Sequence, residues 1–260
     1  MRTIALLAAI VALGGVSKPA AAASADAFAD WAVIVVSGDD HAAHEDRPTQ
    51  AFDNARRDVA TAFERKGFLA SNLAEVSVHE AADEADPSHP PELDLMQRRL
   101  AAKARQAQAG CLVYVTSHGS PDGVLLGDRL ATPSTLRTLV TRACPGRPTA
   151  VILSACYSGA FVPALAQALG PDGFVFTAAR RDRSSFGCSE NDRYPFFDGC
   201  VIQNLPPATS FLDLADRVRK CVKLREDEEG MRPRSMPQVY AGSAFQADRL
   251  RFPSPPPGSE

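Results

Sequence analysis

Short, continuous apolar runs alternate along this chain with segments whose apolar residues return every three or four positions. The runs at residues 31–37, 73–78, 111–116, 151–153 and 174–178 read as strands buried on both faces. Between them, Phe52, Ala55, Val59 and Phe63 share one helical face, as do Leu93, Met96, Leu100 and Ala104, and then Leu136, Leu139, Val140 and Ala143. Thr132 followed by Pro133 marks a helix start, a capping hydroxyl before a residue with no N–H to satisfy. Ser210, with Asp213 three positions on, opens a last helix lined by Phe211, Leu214, Ala215, Val218 and Val222. A final short strand is expected at residues 238–242. Strand and helix thus alternate, which predicts an α/β fold: a mostly parallel sheet of about six strands with helices on both faces. The stretch 180–208 shows no such period and exceeds an ordinary connection, so it reads as a functional loop.

Sheets of this kind bind ligands beyond the carboxyl ends of their strands, and two chemistry-bearing residues fall there. The run TAVILSACYSGA, residues 149–160, breaks from apolar residues into Cys156 and then small ones. That places a thiol at a strand-to-helix corner, where the positive end of the following helix favours an anionic sulfur. His118 follows the preceding strand in the same way, within Ser117-His118-Gly119. If the two strands are neighbours, thiol and imidazole face one cleft, the minimum pair for acyl transfer. Gly119 lets the backbone approach a substrate carbonyl, and its N–H together with that of Cys156 would form an oxyanion hole. No Gly-x-Ser-x-Gly elbow is present, which excludes the common serine hydrolase arrangement. Asp39, Asp40, His41, His44 and Asp46 crowd the loop after the first strand, but their spacing fits no standard zinc pattern. No metal or cofactor is expected.

Composition adds location and size. With 260 residues, 45% apolar and 23% charged, the chain suits one domain with a full core. Arg2, the apolar run 4–16 and Ala23-Ser24-Ala25 have the arrangement of a secretory signal peptide over residues 1–25, which predicts a periplasmic or secreted protein. That run is too short for a comfortable membrane span, so no membrane anchor is expected. Cleavage removes Arg2 and Lys18 and no acid, taking the formal net charge from −3 to −5, and no basic patch argues for nucleic acid. The domain is expected over residues 26–250, followed by a proline-rich disordered tail at 251–260. Export also places six cysteines where thiols pair. With Cys156 kept free, Cys111 and Cys144 each precede an apolar strand and form one candidate pair, and Cys188 and Cys200 flank one loop and form another. Cys221, in phase with Leu214 and Val218, is explained by core packing.

The runs YVTSHGSPDGVLLG, VILSACYSGAF and TAARRDRSSFGC, in that order, resemble the legumain-like cysteine peptidases (peptidase family C13) of the caspase-like clan. The resemblance extends from the first strand to the last helix. It implies a caspase-like three-layer α/β/α sandwich, with Cys156 as nucleophile, His118 as catalytic histidine, and Gly119 with Cys156 as oxyanion donors. It further implies a polypeptide substrate and a pocket for Asn built from Arg47, Ser184, Ser185 and Asp198. Ser154 stands in that pocket where eukaryotic members often carry Glu, and Pro48 follows Arg47 where legumains carry His. An acid at the pocket base without a compensating Arg would instead favour Lys or Arg. The expected function is a secreted cysteine endopeptidase acting through an acyl-enzyme. The alternatives are a catalytically silent caspase-like binding module, or a peptidase or transpeptidase specific for basic residues. The sequence leaves the oligomeric state open.

Overall fold

The computed structural model describes residues 27–43, 47–78, 91–246 and 250–253. The expected signal peptide, His44, Asp46 and tail residues 254–260 lie outside the described residues. Strands β1 (Trp31–Ser37), β2 (Leu73–Ser77) and β3 (Gly110–Thr116) belong to the main sheet. The short strands β4 (Gly119–Ser120), β5 (Gly123–Leu126) and β6 (Arg129–Ala131) form a separate antiparallel sheet, one strand more than a hairpin. β7 (Thr149–Ser154), β8 (Gly173–Thr177) and β9 (Gln238–Ala241) complete the main sheet, in the order β2-β1-β3-β7-β8-β9. Its pairs are parallel except for β9, which runs antiparallel to β8.

The alternation of side chains along each strand sends apolar residues to two separate cores. On β3, Leu112 and Tyr114 join α1 (Ala51–Glu64) on one face, while Val113 and Val115 join α2 (Pro91–Gln106) and α3 (Pro133–Ala143) on the other. α4 (Val162–Leu169) packs on the second face through Leu165. α5 (Phe196–Asn204), α6 (Phe211–Glu228) and the short α7 (Ser243–Gln246) pack on the first. The result is the expected three-layer sandwich. Both helix starts read from the sequence hold. Thr132 Oγ1 accepts from the Thr135 N–H, and Ser210 Oγ accepts from the Asp213 N–H. Asp213 Oδ2 in turn accepts from the Thr209 N–H, one residue earlier than a standard capping box. Among the described residues no helix is long and apolar enough to cross a membrane.

Three expectations change. The stretch 180–208 is not all loop, because residues 196–204 form α5. FFDGCVIQN is apolar most of the way round and contains Gly199, so it offers no polar face from which a helical period can be read. The cysteines also pair differently. Cys111–Cys144 forms, tying the start of β3 to the end of α3, but Cys200 is bonded to Cys221 and Cys188 is free. Cys200 faces α6 across the α5–α6 contact, which sequence spacing alone does not show, so Cys221 is a bridge residue rather than simple packing. Finally, the ordered core passes residue 250. Phe252 is buried against Phe28 and Phe211, and its N–H donates to Thr209 O.

Candidate active site

β3 and β7 are hydrogen-bonded neighbours, with Thr116 opposite Ser154. His118 and Cys156 therefore each lie two residues beyond a matched pair, at the carboxyl edge of the sheet. The Ser117 N–H donates to Ser154 O at 3.0 Å, which carries the pairing toward the site. Gly119 packs against the cysteine's backbone. A Cβ there would stand 2.3 Å from Cys156 O, so only glycine permits this approach. The small sheet braces the histidine, as the Leu125 N–H donates to His118 O and Ser117 Oγ donates to Leu125 O.

After the thiol the chain turns sharply through Tyr157, which has φ 58°, a left-handed conformation that costs a non-glycine residue about 1–3 kcal/mol. Surrounding contacts hold it there. The Tyr157 N–H donates to Arg183 O, the Gly159 N–H donates to Ala179 O, and Ser158 Oγ donates to Ala155 O while accepting from the Ala179 N–H. A single 3-10 turn, Ser158–Phe161, then leads into α4.

The imidazole is oriented by the loop after β1. His118 Nε2 lies 2.9 Å from His41 O, and a carbonyl only accepts, so Nε2 carries the hydrogen. In the neutral ring this leaves Nδ1 as the nitrogen able to take a proton. Asp39 shapes that loop. Its buried Oδ1 accepts from the backbone N–H groups of Asp40 and His41 and lies 2.9 Å from His41 Nδ1, while Oδ2 stands 4.0 Å from His118 Nε2. Phe52 meets the imidazole edge-on at 5.0 Å between ring centres. The ligand atoms of Asp39, Asp40 and His41 fall within 4.8 Å of one another, but Asp39 Oδ1 is spent on this loop. The sequence reading missed Asp39 and His41 as orienting groups. The signal was present, an Asp and a His just after the first strand, but the spacing was weighed only against metal-ligand patterns.

Around the sulfur, Ser185 is the main contact. Its N–H donates to Cys156 Sγ at 3.2 Å, and its carbonyl and hydroxyl oxygens lie at 3.6 and 3.5 Å. Ser184 sits beside it, half-buried. The second free thiol, Cys188, is pushed up to about 12, by burial first and then by the neighbouring Cys156, and so stays protonated near neutral pH.

Asp198 lies beneath the site on α5, fully buried. It accepts from Tyr114 Oη at 2.6 Å, from Thr116 Oγ1 at 3.0 Å and from Ser154 Oγ at 2.5 Å. Burial raises it to about 6, against the pull of the Ser154, Tyr114 and Thr116 hydroxyls. Its carboxylate thereby joins the ends of β3 and β7, just below His118 and Cys156. Arg47 stands apart from this group. It is solvent-exposed, and its Nη1 donates to Glu190 Oε2 at 2.7 Å. The structure thus gathers Cys156, His118, Gly119 and Ser185 at one edge with Ser154 and Asp198 under them, and leaves Arg47 off Asp198.

This sheet order and edge site define a caspase-like fold. Over 89% of its length the chain matches the crystal structure of caspase-1 from Spodoptera frugiperda, covering 94% of that chain at 16% identity with a TM-score of 0.60. It matches the structure of pro-sf-caspase-1 over the same share, covering 95% of that chain at 14% identity with a TM-score of 0.58. A sequence search of curated proteins finds no match. The family model described as Peptidase C13 family matches residues 101–203, a segment that holds His118, Ser154, Cys156, Ser184, Ser185 and Asp198 but not Arg47. The chain therefore has a caspase-like fold, and its residues 101–203 are similar to the Peptidase C13 family.

Proposed function

We propose that the protein is an exported cysteine endopeptidase in which Cys156 attacks the carbonyl carbon of a peptide bond. His118 takes the thiol proton at Nδ1 and gives it to the leaving amine, and water then resolves the acyl-enzyme by the reverse route. The N–H groups of Gly119 and Cys156 hold the developing oxyanion, where one such donor is worth about 2.7–4 kcal/mol. One observation carries this reading: both reactive residues run two positions forward from the paired Thr116 and Ser154. Export is supported by two disulfides in a chain whose first 25 residues resemble a signal peptide.

Cleavage after Asn follows from the C13 resemblance. A second reading, cleavage after Lys or Arg, is favoured by Asp198, whose side-chain contacts among the described residues are three hydroxyls and no cation. Peptides with Asn, Asp, Lys or Arg before the scissile bond, offered to the mature chain and to Cys156→Ala, test both readings. The expected result is cleavage by the wild type alone, together with covalent labelling of Cys156 by a thiol-directed probe. No cleavage of any peptide and no labelling would leave a silent binding module.

A further inference from the structure

Because β9 runs antiparallel, its first residue, Gln238, pairs with Thr177 at the end of β8. The segment leading into β9 is thereby brought to the same sheet edge as Cys156. Backbone contacts join the two regions: the Gly159 N–H donates to Ala179 O, and the Arg180 N–H donates to Ser235 O. A recess of about 440 Å³ touches Gly159, Arg180, Arg181 and Gln238. Gln238 also lines a further cavity of about 800 Å³, between α6 and residues 232–238. Gln238 is thus common to the recess and the cavity, and the recess reaches Gly159, three residues beyond Cys156.

The cavity is basic in a chain of net charge −3. Arg219, Lys220, Lys223, Arg232 and Arg234 line it, against Asp216 and Glu226. Glu226 is buried and accepts from the Ser235 N–H, so it fixes the cavity floor rather than neutralising the rim. Asp227 alone receives Lys223, Arg232 and Arg234, one negative charge for three positive ones. Among the described residues neither Lys220 nor Arg181 has an ion-pair partner. Met236, half-exposed, adds an apolar wall, and no aromatic ring lines the cavity on which a nucleic-acid base could stack.

We propose that this cavity is a second recognition site, holding an acidic stretch of the polypeptide substrate while the cleft acts on a bond some residues away. Two strand spacings separate β7 from β9, about 10 Å, and extended chain covers roughly 3.3 Å per residue. The acidic stretch therefore begins about three or more residues from the scissile bond. Its role toward substrate rests on the peptidase reading, whereas binding of an acidic peptide does not.

The test uses Cys156→Ala protein, a fluorescent dodecapeptide rich in Glu and Asp, its Gln/Asn counterpart and an oligothymidylate of similar charge. The site variant is Arg219→Glu with Lys220→Glu, two α6 positions remote from the reactive groups, with an unchanged melting temperature as the control for folding. Anisotropy should show binding of the acidic peptide that weakens at least tenfold in the variant and in high salt, with little binding of the other two probes. With Cys156 intact, the same variant should raise KM at least tenfold for a peptide substrate carrying the acidic extension, and leave a short substrate unaffected. Equal binding of acidic and neutral peptides, indifference to the charge reversal, or tighter binding of the oligonucleotide would overturn the proposal. Absence of hydrolysis of either substrate would count against the peptidase reading alone, since the anisotropy result stands independently.

Discussion

At the amino ends of the parallel strands, Cys111 is bonded to Cys144 and a cluster of Phe28, Trp31, Phe68, Phe211 and Phe245 closes the layer. At the carboxyl ends of the same strands lie a left-handed Tyr157, a buried Asp198 and the free Cys156 and Cys188. One end spends its sequence on apolar area and a covalent tie. The other carries strain, buried charge and unpaired thiols. The contrast teaches that unfavourable local features persist where the surrounding structure over-determines them, and here they gather at the edge that carries the proposed site.

The contrast can be broken or sharpened in four ways. Cys156→Ala should abolish hydrolysis by at least about 10³-fold and remove all probe labelling, while melting stays within a few degrees of wild type. Residual labelling would mean that Cys188 is the reactive thiol after all. At the opposite end, the paired change Cys111→Ala with Cys144→Ala should do the reverse. Opening a bridge of sequence separation 33 should cost about 3.5 kcal/mol, lowering the melting temperature by several degrees, yet leave kcat/KM at low temperature within about twofold. Parallel loss of activity would show the two ends to be coupled.

Asp198→Asn probes the buried charge. Below about pH 4 the carboxyl is protonated in both folded and unfolded chains, and its ionisation has no effect on stability. As pH rises toward the folded value of about 6 the unfolded chain ionises first, so stability drains away by about 3 kcal/mol and stays lost above that pH. Urea midpoints measured between pH 4 and 7 should show this decline in wild type relative to Asp198→Asn. Parallel curves would mean that the carboxylate is not strained by its burial. The smallest effect is expected at Asp39→Asn. Loosening the loop that aims His118 should lower kcat about tenfold with KM unchanged, and a shift in KM instead would assign Asp39 to substrate contact.

Most of the framework was legible because the parallel strands are buried on both faces and read as bare apolar runs. The order of strands and helices places His118 and Cys156 at one edge from the sequence alone. α5 was not legible, since Phe196, Phe197, Val201 and Ile202 leave it without a polar side. The Cys200–Cys221 bridge was hidden for a related reason: it depends on how two helices face each other, not on spacing along the chain. Arg47 was assigned from the resemblance and lies outside the matched segment, and its contact with Glu190 joins two loops whose meeting no local pattern encodes. Ser185 was expected in the pocket from the resemblance, whereas the hydrogen bond from its N–H to the Cys156 sulfur depends on the path of the loop after β8.

The Cys111–Cys144 bridge also has a topological consequence. It closes a covalent ring that contains His118 and the whole of the small sheet. A proteolytic nick anywhere inside that ring, for instance in the exposed turn at Pro121 and Asp122, leaves the two pieces linked. A nicked molecule would run as one band on a non-reducing gel and as two after reduction, with the histidine still tethered beside its cysteine.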